Sequence, residues 1–187
     1  MDSRDAAKLI ADAVHAGERW ADLGAGTGTF TIALARLVGP NGAVYAVDRD
    51  ASAVRALEAL AREPEDGAAP IVVTRGDLTQ PLDSSPLDGV LLANALHFVD
   101  GHSQAGVLRR AAEGLTSTGT IVVVEYDSRS PSRWVPFPVS PARLTDLARE
   151  AKLALPETIG WRRSVFGGSM YAARIEAHRV RGSTTKA

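Results

Sequence analysis

The chain contains no cysteine. That absence removes disulfides, thiolate zinc sites, cysteine nucleophiles and iron–sulfur clusters held by thiolates, so chemistry must use oxygen, imidazole or a bound cofactor. Net charge is scarce too: 21 Lys and Arg stand against 22 Asp and Glu, a formal charge of −1. A chain this balanced has no global field to draw nucleic acid or anionic lipid, and neither is expected as a partner. No apolar run approaches the roughly 18 residues that argue for a membrane span. The opening Met1-Asp2-Ser3-Arg4-Asp5 is polar and of mixed charge, so a cytoplasmic protein is expected. Arginine outnumbers lysine 18 to 3 and alanine is abundant, which fits GC-rich coding and a bacterial source.

What is present is ordinary globular material. With 45% hydrophobic and 23% charged residues over 187 positions, the chain can bury one sizeable core. One domain over residues 1–178 is expected, with the polar residues 179–187 as a flexible tail.

Leu9, Ile10, Ala13 and Val14 make a single helical stripe within Asp5 to Ala16, with Gly17 placed to close it. Arg19 to Leu23 reads as a strand. It runs without a gap through Gly24, Gly26 and Gly28 into a helix from Thr29 to Val38, stopped by Gly39-Pro40. Ala43 to Asp48 is a second strand and Ala51 to Arg62, capped by Asp50, a second such helix. Ile71 to Thr74 is a third strand, followed by Arg75-Gly76-Asp77-Leu78. The apolar runs Leu87 to Ala93 and Thr120 to Val124 have the character of parallel strands covered on both faces. Between them Ser103 can cap a helix to Glu113. After the proline-rich stretch 127–141 come a helix, Pro141 to Ala151, and two runs, Thr158 to Val165 and Ser169 to Ala177, joined by Phe166-Gly167-Gly168 as a hairpin. The expected fold is α/β: a Rossmann-like, doubly wound, seven-stranded and mostly parallel sheet ending in an antiparallel hairpin.

Ligands of such sheets bind outside the carboxyl ends of the strands, beside the first strand. That rule sets Gly24 to Gly28, Asp48, Asp77, Asn94 and Glu125 along one rim. The dinucleotide fingerprint G-x-G-x-x-G/A fits poorly, because Thr29 stands where the third small residue belongs. Asp22 would also face a pyrophosphate with like charge. It is a good neighbour for a ligand carrying an amine.

The order and spacing of these segments resemble the class I S-adenosylmethionine-dependent methyltransferases, over roughly residues 5 to 126. Asp22-Leu23-Gly24-Ala25-Gly26-Thr27-Gly28 is similar to the family's first motif, Asp48 to the acid closing strand two, Gly76-Asp77-Leu78 to the third motif, and Leu87-Asp88-Gly89-Val90-Leu91-Leu92 to the fourth. Asn94-Ala95-Leu96-His97-Phe98 is similar to the segment that follows in many small-molecule members. The resemblance implies S-adenosyl-L-methionine as cofactor and a small-molecule acceptor. Gly24, Gly26 and Gly28 would admit the methionyl part and ribose, and the amides opening the helix at Thr29 would favour its carboxylate. Asp48, with Arg49 beside it in the binding set, would accept the ribose hydroxyls. Asp77 would accept from the adenine amino group while the Leu78 amide donates to the ring, and Asn94 carbonyl groups would hold the ammonium. Plainer roles stand beside these: Asp48 or Asp77 as turn residues, and Asp22 as an ion-pair partner of Arg19 or Arg36.

On the acceptor side the polar candidates are His97, Glu125, Tyr126, Asp127 and Ser164, the first three taken as the catalytic set. His97 is either a general base or packing beneath the ligand. Glu125 either pairs with an arginine or points into the pocket. Trp134, Phe137, Trp161 and Phe166 could wall an apolar acceptor, with the roof coming from residues 127–141 and the hairpin. Arg162 and Arg163 could hold an acidic acceptor or be solvated charge. No metal site assembles from Asp100 and Asp127. Two other readings remain: an NAD-linked oxidoreductase, and a protein that binds S-adenosylmethionine without transferring methyl.

Overall fold

Asp2 accepts the Asp5 amide at 2.9 Å and starts α1 (Ser3–Ile10), whose Ala6, Leu9 and Ile10 are buried. The chain is seen here in a computed structural model that describes residues 1–80, 86–163 and 168–177. The expected helix to Ala16 stops early: a 3-10 turn, Ala11–Ala13, follows, and Val14 is already extended. Residues 14–18 are needed to bring the chain to the first strand, and Gly17 is fixed there by donating to the Val38 carbonyl at 2.8 Å.

Four further elements occur where the apolar spacing sets them: β1 (Arg19–Leu23), α2 (Thr29–Val38), β2 (Ala43–Asp48) and α3 (Ala51–Arg62). Asp50 caps α3 by accepting the Ser52 and Ala53 amides. Next come β3 (Ile71–Arg75), β4 (Leu87–Ala93), α4 (Gln104–Glu113) and β5 (Leu115–Tyr126). The chain closes with α5 (Pro141–Ala151), β6 (Glu157–Arg163) and β7 (Ser169–Glu176). Ser103 sits before α4 but makes no side-chain cap bond. β5 begins five residues earlier than the apolar run, because Leu115 pairs with Leu87 across a register shift. The hairpin turn at Phe166 and Gly167, Ser164 and the tail lie outside the described residues.

All seven strands form one sheet in the order β3-β2-β1-β4-β5-β7-β6. β3, β2, β1, β4 and β5 are parallel, and β7 is antiparallel to both β5 and β6. The order reverses between β1 and β4, the switch point where ligands bind in such sheets. One core joins α1 and α2 to Trp20, Leu91, Ala93, Val122, Val124 and Met170. The other joins α4 and α5 to Leu23, Leu92, Ile121, Val123 and Tyr171. Successive strand residues point to opposite faces, so neighbours such as Leu91 and Leu92 feed different cores. Among the described residues, no helix is long and apolar enough to cross a membrane.

Candidate active site at the strand switch point

The chain leaves β1 through three glycines in the left-handed region, Gly24 (φ 76°), Gly26 (φ 55°) and Gly28 (φ 91°). They serve different ends. A Cβ on Gly24 would stand 2.7 Å from that of Ala95, so it lets the β1 turn pack on the segment after β4. Gly26 has no other atom within 4 Å of that position and faces open space. Gly28 does not line the cavity described below; a Cβ there would collide with Leu60 of α3. Its place in the sequence is a packing requirement at the start of α2.

A cavity of about 770 Å³ lies at the switch point. Asp22, Thr29, Asp48, Arg49, Asp77, Leu78 and Asn94 of the expected cofactor set all line it, with Gly24 and Gly26. Asp48 accepts the Gly26 amide on one carboxylate oxygen and the Asp50 amide on the other, both at 2.8 Å. Each oxygen keeps a free lone pair, and the carboxylate is held in one orientation before any ligand arrives. Asp77 accepts the Thr79 amide and hydroxyl on Oδ1, and its Oδ2 lies 3.7 Å from Arg49. The Thr79 bonds, with Arg49, hold its carboxyl below the usual range.

Asp22 is 1% exposed, and its carboxylate accepts only the Thr31 hydroxyl, at 2.6 Å, among the described residues. Arg19 bonds to Tyr45 and Arg36 to Glu65, so neither neutralises it. Burial pushes its pKa up to about 7; the Thr31 bond opposes the rise and the charge of Asp48 adds to it. Asn94 has φ 52°, and its buried side-chain Oδ1 has no hydrogen-bond partner among the described residues. A desolvated acid and an orphaned carbonyl oxygen on one cavity wall are short of a hydrogen-bond-donating cation.

The acceptor-side expectations divide. Tyr126 lines the cavity. His97 and Glu125 do not: they are 2% and 0% exposed and bind each other, with His97 Nδ1 2.6 Å from Glu125 Oε2 and the His97 amide donating to Oε1 at 3.1 Å. Glu125 and Tyr126 are successive residues of β5 and so face opposite sides of the sheet. Glu125 therefore pairs with histidine, neither with an arginine nor toward the pocket. Trp134, Phe137 and Trp161 are not wall residues either. The Phe137 amide donates to the His97 carbonyl at 3.0 Å, Gln104 donates to the Phe137 carbonyl, and the Tyr171 hydroxyl donates to Val139. These bonds tie the 137–139 segment to the His97 backbone, α4 and β7, and none of its residues lines the cavity. The walls on that side come from Phe98, Asp100, Ser103, Met170, Arg162, Arg163 and Met1. Phe98 stood in the motif beside His97; Met170 and Met1 carry no sequence signal, since only strand register brings Met170 beside Tyr126.

A profile described as a methyltransferase domain matches residues 21–119, more than half of the 187 positions. The chain belongs to this methyltransferase family. Three solved structures show the same fold. A protein of Methanosarcina mazei described as a SAM-dependent methyltransferase superimposes at TM-score 0.71 with 13% identity over 90% of this chain and 96% of its own. The magnesium protoporphyrin IX methyltransferase of Synechocystis, with SAM bound, gives 0.70 with 18% identity over 92% and 76%. An O-methyltransferase family 2 protein of Planctomyces limnophilus, in complex with apigenin, gives 0.67 with 19% identity over 93% and 58%. No curated protein sequence matches the chain. The methyltransferase is of class I, and S-adenosylmethionine is the donor of that class. The residues present fit this donor, since its ammonium would meet both the desolvated Asp22 carboxylate and Asn94 in the cavity lining.

Proposed function

We propose that this methyltransferase is a single domain over residues 1–178 that moves the methyl group of S-adenosylmethionine to a small molecule, in the cytoplasm of a bacterium. The observation that carries the reading is that desolvated Asp22 and Asn94, whose Oδ1 has no partner among the described residues, line the same cavity. Asp22 and Asn94 hold the ammonium, Asp48 accepts from the ribose hydroxyls, and Asp77, Leu78 and Arg49 frame the adenine. The backbone of Gly24 and Gly26 lets the ligand approach, and the amides opening α2 at Thr29 favour its carboxylate.

S-adenosylmethionine, when bound, supplies an electrophilic methyl group whose transfer is an in-line displacement. The chain's own residues align the acceptor and exclude water. Tyr126 and Phe98 flank the acceptor. The His97–Glu125 pair acts as a positioning device beneath Phe98, whose ring lies 4.2 Å from that of His97. A small acceptor accords with the formal charge of −1, which offers nucleic acid no attraction, with one structural neighbour being named a magnesium protoporphyrin IX methyltransferase and with another being in complex with apigenin.

Calorimetric titration with S-adenosylhomocysteine and, separately, NAD tests the donor. Binding of the former alone is expected; binding of NAD alone would replace the reading with an oxidoreductase. Labelled methyl appearing on a metabolite of a cell extract then separates a transferase from a protein that only binds the donor.

A further inference from the structure

The charged lining of the cavity is uneven along the sheet, with Arg49 paired to Asp77 at 3.7 Å and Asp100 after β4. Asp22, Asp48 and Asp77 stand on or after β1, β2 and β3, at one end of the strand order, and Arg162 and Arg163 end β6, at the other. Arg162 is neutralised: its Nη1 lies 2.6 Å from Asp5 of α1. Arg163 is exposed and has no ion-pair partner among the described residues, so it leaves that end of the cavity with a net positive charge.

Register supplies the ground between. Tyr126 of β5 pairs with Met170 of β7, and Met170 pairs with Arg162 of β6, so the three side chains form one cross-strand row in the cavity wall. Phe98, 54% exposed, lines the same cavity, an apolar surface left uncovered there. Two strand spacings, about 10 Å, separate Tyr126 from Arg162. That span suits one aromatic ring carrying a short acidic arm.

We infer that the acceptor is an aromatic or apolar carboxylic acid, whose ring lies between Phe98 and the Tyr126–Met170 row and whose carboxylate is the handle taken by Arg163 at the end of β6. The inference rests on the methyltransferase reading above. A guanidinium fork fits a carboxylate in bidentate fashion. A singly charged acid also suits a cavity in which four carboxylates, Asp22, Asp48, Asp77 and Asp100, line the wall, since a dianion would meet more repulsion.

The test uses full-length protein saturated with S-adenosylhomocysteine, titrated by calorimetry with 4-hydroxyphenylacetate and 4-hydroxycinnamate and with the two corresponding amides. Each acid is expected to bind about tenfold more tightly than its amide. Arg163→Gln should erase that ratio while leaving S-adenosylhomocysteine affinity intact, which shows the variant folded; Arg163→Lys should keep part of it, and Arg109→Gln all of it. Equal affinity of acid and amide, failure of all four probes, or a preference that survives Arg163→Gln would overturn the carboxylate handle and leave the methyltransferase reading standing. Failure of S-adenosylhomocysteine itself to bind would overturn both.

Discussion

On the β3-β2-β1 side of the rim the cavity-lining acids Asp22, Asp48 and Asp77 lie on or just after their own strands, each held in part by a residue within nine positions in sequence. Asp48 takes amides from Gly26 and Asp50, and Asp77 is held by Thr79 two residues on. On the β5-β7-β6 side Tyr126, Met170 and Arg162 lie far apart in sequence, and only strand register makes them neighbours. The first arrangement is local and suits a ligand that does not change. The second leaves each position free to vary without disturbing its neighbours in the chain, as acceptor choice requires.

The largest expected effect separates the cavity from the sheet face behind it. Glu125→Ala strips the partner from buried His97 and is expected to cost about 3–5 kcal/mol of stability by chemical denaturation. Little change would mean the pair is not part of the packed face and would reopen His97 as a cavity residue. Asp48→Ala should keep the fold and weaken S-adenosylhomocysteine binding about 100-fold, since two charge-assisted bonds to ribose are lost. Near-normal calorimetric affinity would remove the ribose role.

Two glycine variants sharpen the contrast within one turn. Gly28→Ala forces a left-handed residue against Leu60 and should cost about 2 kcal/mol in denaturation with donor affinity kept. Gly26→Ala meets no neighbour and should cost about 1 kcal/mol. Its new methyl stands at the cavity wall, so donor affinity should fall. The reverse pattern would exchange the roles of the two glycines.

Much of this architecture was legible in the sequence because strands buried on both faces read as apolar runs, and β1, α2, β2, α3, β4 and α5 begin and end where those runs do. The cavity lining at the ends of β1, β2 and β3 was legible because the glycine turn and the acids ending or following β2 and β3 are contiguous motifs. Gly28 was the exception: a packing glycine and a ligand glycine look alike until Leu60 is seen against one of them. Glu125 and His97 could not be read as a pair, being 28 residues apart and joined only through the alternation of β5. Trp134 and Phe137 misled for a related reason. Backbone hydrogen bonds to His97 and Gln104 decide where that loop goes, and such bonds leave no trace in side-chain pattern.

The titration of Asp22 carries the most information about the donor site. Burial raises Asp22 to about 7 from 3.8, so the ligand-free fold loses the stability contributed by its protonated form as pH rises through that window. Relative to Asp22→Asn, the melting temperature of the free protein should fall over the same range. A bound ammonium reverses the preference by favouring the ionised carboxylate, so donor binding below the raised pKa must expel a proton. The direct measurement is calorimetric titration of S-adenosylhomocysteine at about pH 6 in two buffers of different ionisation enthalpy, which counts that proton. Release of about one proton per ligand by the wild type and none by Asp22→Asn is the expected result. Binding without proton release, or with the same release in both proteins, would contradict Asp22 as the ammonium site.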